Sequence, residues 1–492
     1  MTARFAPLLL IPALWSAVSA SAAPLQFSVT YQAEVHPGPI SARVYVMLGP
    51  SPSLGEPRFG PNWFSPQPFF AVDAKDWRPG EPLIVGENAL SFPKPLSEIK
   101  AGKYVVQAVV RLNPDTHSLG AGEGNAYSPL LTTELDPSVG GTIALQVESV
   151  VRKRPFTSTN RVKAVEIDSP LLSAFFKRPI KHRATVVLPE GDLTEKRATL
   201  YIIPGFGGDD RATALRMAGN SRSSYAQDLI RIVLNPDCGT GHHVFADSAM
   251  NGPRGQALIE ELIPYIEKNF PVIAEPSARL LNGHSSGGWS SLWLQVTYPD
   301  FFGGTWSTSP DPVDFRDFQR INLYNPGENM FKDAQGERRP LARRNGSPVL
   351  WYDDFSRMEE VIGDGGQLRS FEAVFSPLGP DGQALRAWDR KTGVIDMKVT
   401  KAWEAYDIRL VLERNWARLG PKLKGKLHVY TGELDTFYLE GAVALLKESL
   451  AKLGSDASIE IFPGKDHGTV LDAALDTRID REIKATLETR NK

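Results

Sequence analysis

The sequence predicts an α/β protein, in which a doubly wound, mostly parallel sheet follows an N-terminal β-sandwich-like domain. Continuous apolar runs, typical of strands buried on both faces, occur at 184–189, 198–203, 230–234 and 427–430. Helical stripes of apolar residues alternate with these runs at 255–270 and 441–453, as in a doubly wound fold. Before residue 151, short alternating segments such as 27–31 and 103–110 are separated by Pro- and Gly-rich turns, which favours a β-sandwich.

The chain has 492 residues, which is too long for one compact core, so more than one structural unit is expected. We predict a signal peptide at 1–23, a β-sandwich-like domain at 24–151 and an α/β domain at 152–492. Periodicity fades at about 310–397, where Gly, Pro, Asp and Arg are frequent. A segment of this length is seldom a bare loop, so we interpret it as an insertion that covers or borders a pocket.

The first residues are typical of an export signal. Arg4 provides a positive start, Phe5–Val18 is mostly apolar, and Ala20–Ala22 is a small-residue cleavage pattern. The apolar run is short for a membrane span, which makes an uncleaved anchor the weaker alternative and predicts no stable membrane insertion after cleavage. Cys238 is the only cysteine, so an intrachain disulfide is impossible. Export without disulfides suits a bacterial periplasm or exterior.

Composition excludes a general attraction to polyanions. The formal net charge is −2, and no long run of Lys and Arg occurs, so no nucleic-acid partner is expected.

The strongest chemical signal is the motif G-x-S-x-G at 283–287, with a further glycine at 288. Residues 279–282 can end a strand and 288–298 can form a helix, which is the strand–turn–helix context that a serine nucleophile requires. Ser285 is therefore the predicted nucleophile. Ser286 is not, because a motif centred on it would need Gly at 284, where His stands.

A serine hydroxyl needs a base, and in α/β-hydrolases the order along the chain is Ser, then Asp or Glu, then His. His467 lies in a loop after the predicted strand 459–462, whereas His428 lies inside a predicted strand. His467 is therefore the predicted base. Asp435, in the loop after the preceding strand, is the predicted carboxylate that orients it, with Glu433 and Asp466 as alternatives.

Two backbone amides are expected to form an oxyanion hole. The Ser286 N–H lies at a helix N-terminus, and the Gly-rich loop 203–208 follows a buried strand, so Phe206 or Gly207 would supply the second donor. A phosphate-cradling loop is the alternative for 203–208, but the P-loop lysine and a complete G-x-G-x-x-G are missing.

Other reactive side chains are weaker candidates. Cys238, with His242 nearby, is interpreted as an ordinary thiol. His242 and His243 are adjacent and do not share a helical face, and neither H-E-x-x-H nor a Cys pair occurs, so no metal site is predicted.

The chain resembles the enterochelin-esterase-like branch of esterases in the α/β-hydrolase superfamily. The resemblance spans roughly 165–310 and 400–475, and it is carried by the nucleophile turn and by the segments 169–179, 247–253, 260–266, 432–435 and 466–468. It implies ester hydrolysis without a cofactor, and a preceding β-sandwich also occurs in that branch. Members include siderophore esterases, feruloyl-type esterases and mycolyl-type acyltransferases.

We therefore expect an exported serine esterase that acts on a small-molecule or polymer-linked ester through an acyl-enzyme on Ser285. Acyl transfer to another alcohol would use the same triad. A non-catalytic binding protein on the same scaffold is the alternative from a different class. The sequence does not indicate the acyl and alcohol parts of the substrate or the oligomeric state.

Overall fold

The computed structural model of the chain describes residues 23–51, 55–153, 155–191, 194–219 and 226–490. The predicted signal peptide therefore lies outside the described residues, except for its last residue. None of the helices within these ranges has the length and apolar character of a membrane span.

The N-terminal region is built from strands arranged in two sheets. Its described strands are β1 (Leu25–Tyr31), β2 (Ile40–Gly49), β3 (Phe69–Trp77), β4 (Leu83–Val85), β5 (Leu90–Phe92), β6 (Gly102–Val110), β7 (Ala126–Tyr127), β8 (Leu131–Leu135), β9 (Gly141–Val147) and β10 (Ser149–Val150). One sheet has the order β4-β1-β9, and the other has the order β10-β7-β6-β2-β3-β5, with β8 also paired to β6. The predicted β-rich N-terminal region is confirmed.

Alternation along β2 shows that its sheet is buried on both faces. Val44 and Val46 pack with residues of β1 in the core between the two sheets. Tyr45 and Met47, which point the other way because side chains alternate along a strand, join the core shared with the rest of the protein. The hydroxyl of Tyr45 donates to the carbonyl of Ile362 at 2.5 Å, which ties this face to a helix of the C-terminal region.

The region after residue 152 alternates strands and helices. Its described strands are β11 (Val162–Asp168), β12 (Lys181–Val187), β13 (Thr199–Ile203), β14 (Ile230–Leu234), β15 (Asp237–Cys238), β16 (Gly241–His242), β17 (Asp247–Ser248), β18 (Gly252–Pro253), β19 (Arg279–His284), β20 (Gly304–Thr308), β21 (Pro340–Arg344), β22 (Ser347–Trp351), β23 (Leu427–Gly432) and β24 (Ser458–Phe462). Its described helices are α1 (Pro170–Phe176), α2 (Asp210–Gly219), α3 (Arg254–Ala257), α4 (Ile263–Asn269), α5 (Ser286–Thr297), α6 (Tyr352–Ile362), α7 (Gln367–Phe375), α8 (Met397–Trp403), α9 (Ile408–Leu423), α10 (Glu440–Lys452) and α11 (Ala473–Arg490). A π-helical turn, Leu258–Leu262, joins α3 to α4.

The central sheet has the order β11-β12-β14-β13-β19-β20-β23-β24. It is antiparallel at β11-β12-β14 and parallel from β14 onward. Leu200 and Ile202 of β13 pack into the core that contains α11, whereas Tyr201 and Ile203 pack into the core that contains α4. The sheet is therefore covered on both faces, as the apolar runs predict, and its parallel strands all end at one edge.

The segment 310–397 is largely structured. It contains the hairpin β21–β22 and the helices α6 and α7, and its side chains Phe315, Phe318 and Phe375 belong to the core shared with Tyr45. The segment packs on the N-terminal region and on the central sheet at once. Because its apolar residues face two surfaces, they do not follow one regular period.

Candidate active site

Ser285 occupies a sharp turn between β19 and α5. Its backbone has φ 60 and ψ −126, a conformation that few non-glycine residues adopt. The Ser285 N–H donates to the carbonyl of Thr308 at 3.0 Å, and the Ser285 carbonyl accepts from the Trp289 N–H at 3.0 Å. These two bonds hold the strained residue from both sides, so its side chain is presented at the edge where the parallel strands end.

The glycines of the motif are required by close backbone approach. A Cβ on Gly283 would lie 2.0 Å from the carbonyl oxygen of Gly287, and one on Gly287 would lie 1.9 Å from the carbonyl oxygen of Ile203. Neither contact can be relieved by rotating a flexible side chain, because backbone atoms are on both sides. The motif is thus explained by sterics at these two positions.

His467 and Asp435 meet as the sequence predicts. Nδ1 of His467 lies 2.8 Å from Oδ2 of Asp435. The Asp435 side chain is fully buried, and its Oδ1 accepts from the Phe437 N–H at 2.9 Å. Because β23 and β24 are parallel neighbours, the loops that follow them lie side by side, which explains the pairing.

Asp435 and His467 shift each other's pKa values in opposite directions. Burial by itself lowers the pKa of His467, but the charge and hydrogen bond of Asp435 outweigh burial and raise this pKa above 6.5. Burial likewise acts to raise the pKa of Asp435, but the charge and hydrogen bond of His467 lower it below 3.8. Asp435 is therefore a carboxylate, and its bond to Nδ1 leaves Nε2 of His467 as the nitrogen available to a hydroxyl.

The imidazole of His467 packs beside the nucleophile turn. Its ring centroid lies 4.4 Å from that of His284, the residue that precedes Ser285. Burial and the nearby His467 lower the pKa of His284 to about 3, so His284 is a neutral wall of the site. Among the described residues, the Ser285 hydroxyl donates to no protein atom, and the hydrogen bond of the His467 ring is the one that Nδ1 forms with Asp435.

Three amides that the sequence predicts as oxyanion donors surround Ser285. Ser286 is the first residue of α5, and Phe206 and Gly207 follow β13. A Cβ on Gly205 would lie 3.1 Å from the Cβ of Ser285, so this loop passes directly beside the predicted nucleophile. In the described chain none of the three N–H groups donates to another protein atom. They are available to a developing oxyanion.

Asp311 is a buried carboxyl that sequence reasoning missed. Its Oδ2 accepts from the Ser286 hydroxyl at 2.5 Å, and Nε2 of Gln367 lies 3.2 Å from the same hydroxyl. Burial raises the pKa of Asp311 to about 6. The hydroxyl of Ser286 is therefore held in a buried hydrogen bond with Asp311. Asp311 comes shortly after β20, the strand beside β19. That position at the end of a neighbouring strand is the sequence feature that could have predicted its place near Ser285.

Three aromatic rings form a half-buried wall around the site. Phe437 makes an edge contact with His467 at 5.0 Å between ring centroids. Trp63 lies 5.5 Å from Phe206 and 6.3 Å from Phe437. The N-terminal region therefore contributes a ring that bridges Phe206 and Phe437, the second of which contacts His467. No local pattern around residue 63 signals this contact, which spans more than one hundred residues of chain.

The alternatives for the carboxylate have other partners. Oε2 of Glu433 accepts from the Gly464 N–H at 3.0 Å. Oδ1 of Asp466 accepts from the N–H groups of Gly468 and Thr469, at 3.0 and 2.8 Å. Neither carboxylate lies within hydrogen-bonding distance of the His467 ring in the described residues, whereas Asp435 does.

The other histidines and the thiol have structural surroundings. His428 stacks on Trp306 with ring centroids 4.7 Å apart, and burial lowers its pKa. His242 contacts the carbonyl of Pro204 through Nε2 at 2.9 Å and so supports the oxyanion loop, while burial lowers its pKa to about 4. Burial raises the pKa of Cys238, which opposes formation of a thiolate. The described residues include no cluster of three or more metal-ligating side chains.

Comparison with known proteins finds one matching family model and several similar solved structures. The family model described as "Putative esterase" matches residues 181–433. A fluorophosphonate-binding serine hydrolase of Staphylococcus aureus, solved with bound substrate, is 18% identical, with a TM-score of 0.38 over 66% of this chain and 99% of that chain. An S-formylglutathione hydrolase from Agrobacterium tumefaciens is 13% identical, with a TM-score of 0.39 over 66% of this chain and 94% of the other. A ferulic acid esterase is 14% identical, with a TM-score of 0.41 over 66% of this chain and 99% of that chain.

The family match covers 253 of the 492 residues; it includes Ser285 and ends at Glu433, before Asp435 and His467. It also spans the Gly-rich loop 203–208 and six of the eight strands of the central sheet. The chain therefore belongs to this esterase family, in the α/β-hydrolase superfamily.

Proposed function

We propose that the protein is an exported serine esterase that hydrolyses a carboxylic ester through an acyl-enzyme on Ser285. The observation that carries the proposal is the bond between His467 and Asp435, beside a strained serine at the edge of a parallel sheet. Family membership supports ester hydrolysis as the reaction class.

The proposed acylation begins with attack of the Ser285 Oγ on the ester carbonyl, while Nε2 of His467 takes the hydroxyl proton. Asp435 stabilises the imidazolium and fixes the tautomer through Nδ1. The carbonyl oxygen becomes an oxyanion, which the amides of Ser286 and of Phe206 or Gly207 would bind. The tetrahedral intermediate then expels the alcohol, which takes the proton from Nε2.

Deacylation repeats these steps with water as the nucleophile. His467 takes a proton from water as it attacks the acyl carbon, and it returns that proton to Oγ of Ser285 as the carboxylic acid leaves. The strained backbone at Ser285 supports this cycle, because it fixes the direction of the Cα–Cβ bond of Ser285 relative to the Ser286 N–H.

The aromatic wall supports a substrate with an apolar group next to the ester. Trp63, Phe206 and Phe437 are all half-buried and surround the catalytic centre, so an apolar group placed between them would be removed from water. Both a small-molecule and a polymer-linked ester meet this requirement.

Export to a bacterial periplasm or exterior remains part of the proposal. Its support is the segment 1–23, with Arg4, an apolar run and a small-residue cleavage pattern. Expression of the full chain in a bacterium, followed by fractionation and N-terminal sequencing, tests it. A mature protein that begins near Pro24 in the exported fraction supports export, and an uncleaved protein in the cytoplasm refutes it.

The chemical test uses a fluorophosphonate probe on purified protein. We expect the wild type to be labelled, Ser285→Ala to be unlabelled, and Ser286→Ala to be labelled, because Ser286 contributes its backbone N–H and its hydroxyl is bonded to Asp311. Persistent labelling of Ser285→Ala would refute the assignment of the nucleophile.

Turnover of a panel of p-nitrophenyl, feruloyl and siderophore-type esters tests the reaction itself. Release of free acid supports hydrolysis, whereas acyl product that forms only when an acceptor alcohol is added would identify an acyltransferase. Absence of both turnover and labelling would identify a non-catalytic binding protein on the same scaffold.

A further inference from the structure

A pocket of about 650 Å³ lies away from the proposed catalytic residues, at the junction of the N-terminal sheet, the loop 238–240, the start of α3 and the segment 360–369. The arginines that line it are Arg43, Arg111, Arg178, Arg254, Arg369 and Arg386. Four carboxylates also line it, namely Asp73, Asp115, Glu360 and Asp364. Since six guanidinium groups face four carboxylates, the lining is net positive.

Four of the arginines are neutralised by carboxylates. Nε of Arg43 lies 2.7 Å from Oδ1 of Asp73, and Nη2 of Arg178 lies 2.5 Å from Oδ1 of Asp115. Arg369 and Arg386 are paired in the same way with Asp364 at 2.8 Å and Glu360 at 2.9 Å. These pairs build the wall, and they leave Arg111 and Arg254 as the source of the excess charge.

Arg254 has no carboxylate within 4.0 Å among the described residues. Its Nε donates to the backbone carbonyl of Asn251 at 3.0 Å, and its guanidinium lies 5.5 Å from the ring of Phe176. Removal from water lowers the pKa of Arg254, since no neighbouring anion offsets the desolvation fully. Arg111 is satisfied differently, because its terminal nitrogens donate to the carbonyls of Thr116, Gly239 and Asp364. Neither arginine has a carboxylate partner, but only Arg254 has terminal nitrogens that form no hydrogen bond among the described residues.

Asn251 is a buried polar residue of the same wall. The residue is 2% exposed, and its Nδ2 makes no hydrogen bond in the described structure. Its Oδ1 accepts from the hydroxyl of Thr240 at 2.7 Å, which fixes the amide plane. Because Nδ2 has almost no surface open to the pocket, Asn251 shapes the wall beside Arg254 and leaves the guanidinium as the group that a ligand can reach.

We propose that this pocket binds a small molecule through an oxyanion, a carboxylate or a phosphate, held by the guanidinium group of Arg254. A planar guanidinium suits such oxygens, because two of its N–H groups can bond them in parallel. The volume accommodates considerably more than an inorganic ion, so the anionic group would be one end of a larger ligand. The site is independent of the proposed esterase activity.

Its position connects it to the catalytic region without sharing residues. Gly239 and Thr240 line the pocket, and a Cβ on Gly241 would lie 3.2 Å from the ring of Phe206. The loop 239–241 thus separates the anion pocket from the oxyanion loop.

Calorimetric titration of the purified protein with inorganic phosphate and with citrate, in Tris buffer at constant ionic strength, tests the proposal. Citrate alone, phosphate alone, or both binding saturably would support it and distinguish the two oxyanions. We expect Arg254→Gln to weaken binding at least about tenfold, the usual worth of a charge-assisted hydrogen bond. Arg418→Gln, which removes an exposed charge of α9 outside the pocket, should bind as the wild type does.

A second measurement does not depend on the fold of a variant. Phenylglyoxal modification of the wild-type protein, followed by peptide mass spectrometry, should show Arg254 protected by the bound anion and Arg418 unprotected. Absence of saturable binding of either anion up to roughly 10 mM, a very weak affinity, would overturn the proposal. Equal binding by Arg254→Gln, or modification of Arg254 at the same rate with and without anion, would also overturn it.

Discussion

Replacement of Asp435 by Asn tests the proposed catalytic geometry most directly. In the wild type, Oδ1 accepts from the Phe437 N–H and Oδ2 faces Nδ1 of His467. An Asn that keeps the first bond must place its NH₂ group where Oδ2 stood. Nδ1 would then have to accept a hydrogen bond, which moves the imidazole proton to Nε2. In that tautomer His467 cannot take the proton of Ser285.

The size of the effect follows from the burial of this pair. The Asp435 side chain is fully buried, so solvent does not screen its bond to His467. A charge-assisted hydrogen bond of about 1.5–3 kcal/mol corresponds to about one to two pKa units. We therefore expect the acid limb of kcat/KM to move down by about one to two pH units in Asp435→Asn. We also expect kcat to fall by about 10³- to 10⁴-fold, the loss typical of a wrong tautomer.

The assay is hydrolysis of the best ester of the panel, measured from pH 4 to 9 in about half-unit steps. In the wild type the acid limb should have its midpoint above 6.5, because the pKa of His467 is raised and the base must be neutral to act. Asp466→Asn is the matched control, since its carboxylate lies next to His467 in sequence but bonds the N–H groups of Gly468 and Thr469. The reasoning fails if Asp435→Asn keeps kcat within about tenfold of wild type, or if the control loses as much activity.

Three further perturbations probe the surroundings of the site. Trp63→Ala should raise KM about tenfold with little change in kcat, while Phe59→Ala, an exposed residue of the same loop, should change neither value in steady-state kinetics. Asp311→Asn should raise the free energy of unfolding at pH 7 by about 3 kcal/mol, because burial raises the pKa of this carboxyl from 3.8 to about 6. The contribution of Asp311 to wild-type stability is greatest below pH 3.8 and is lost as the pH rises through 6. Urea titrations should therefore show that the stability difference between Asp311→Asn and the wild type vanishes near pH 4. Gly283→Ala should cost more than about 3 kcal/mol in the same titration, since its Cβ would meet a carbonyl oxygen at 2.0 Å, whereas Gly219→Ala meets nothing within 4 Å and should be tolerated.

The sequence predicts the parts of the site that depend on local geometry. The turn at Ser285 is specified by glycines whose replacement would cause backbone clashes, and a short motif is enough to recognise it. Asp435 and His467 could be placed because each follows a strand of a parallel sheet, and such loops converge at one edge. Spacing along the chain therefore carries three-dimensional information in this fold.

The missed residues depend on contacts that the chain makes over long distances. Trp63 reaches Phe206 and Phe437 only because one face of the N-terminal sheet packs on the rest of the protein. The partner of Asp311 is the hydroxyl of Ser286, and the bond forms because β19 and β20 are neighbours in the sheet. Sheet order cannot be read from propensity or periodicity, so the sequence indicates the strands but not which side chains face each other across them.

The N-terminal region is best understood as part of the unit that forms the candidate active site. Tyr45 and Met47, whose alternation with Val44 and Val46 gives its larger sheet a second apolar face, are almost completely buried in the core shared with α6 and α7. Each such side chain is worth about 1.5–3 kcal/mol when removed from water, so loss of this face would expose a large apolar surface on both sides of the junction. The same contact holds Trp63 beside the oxyanion loop and forms one wall of the anion pocket. One packed interface therefore supports the fold, the catalytic wall and the second site, which explains why a sheet without catalytic residues of its own is retained against the esterase fold.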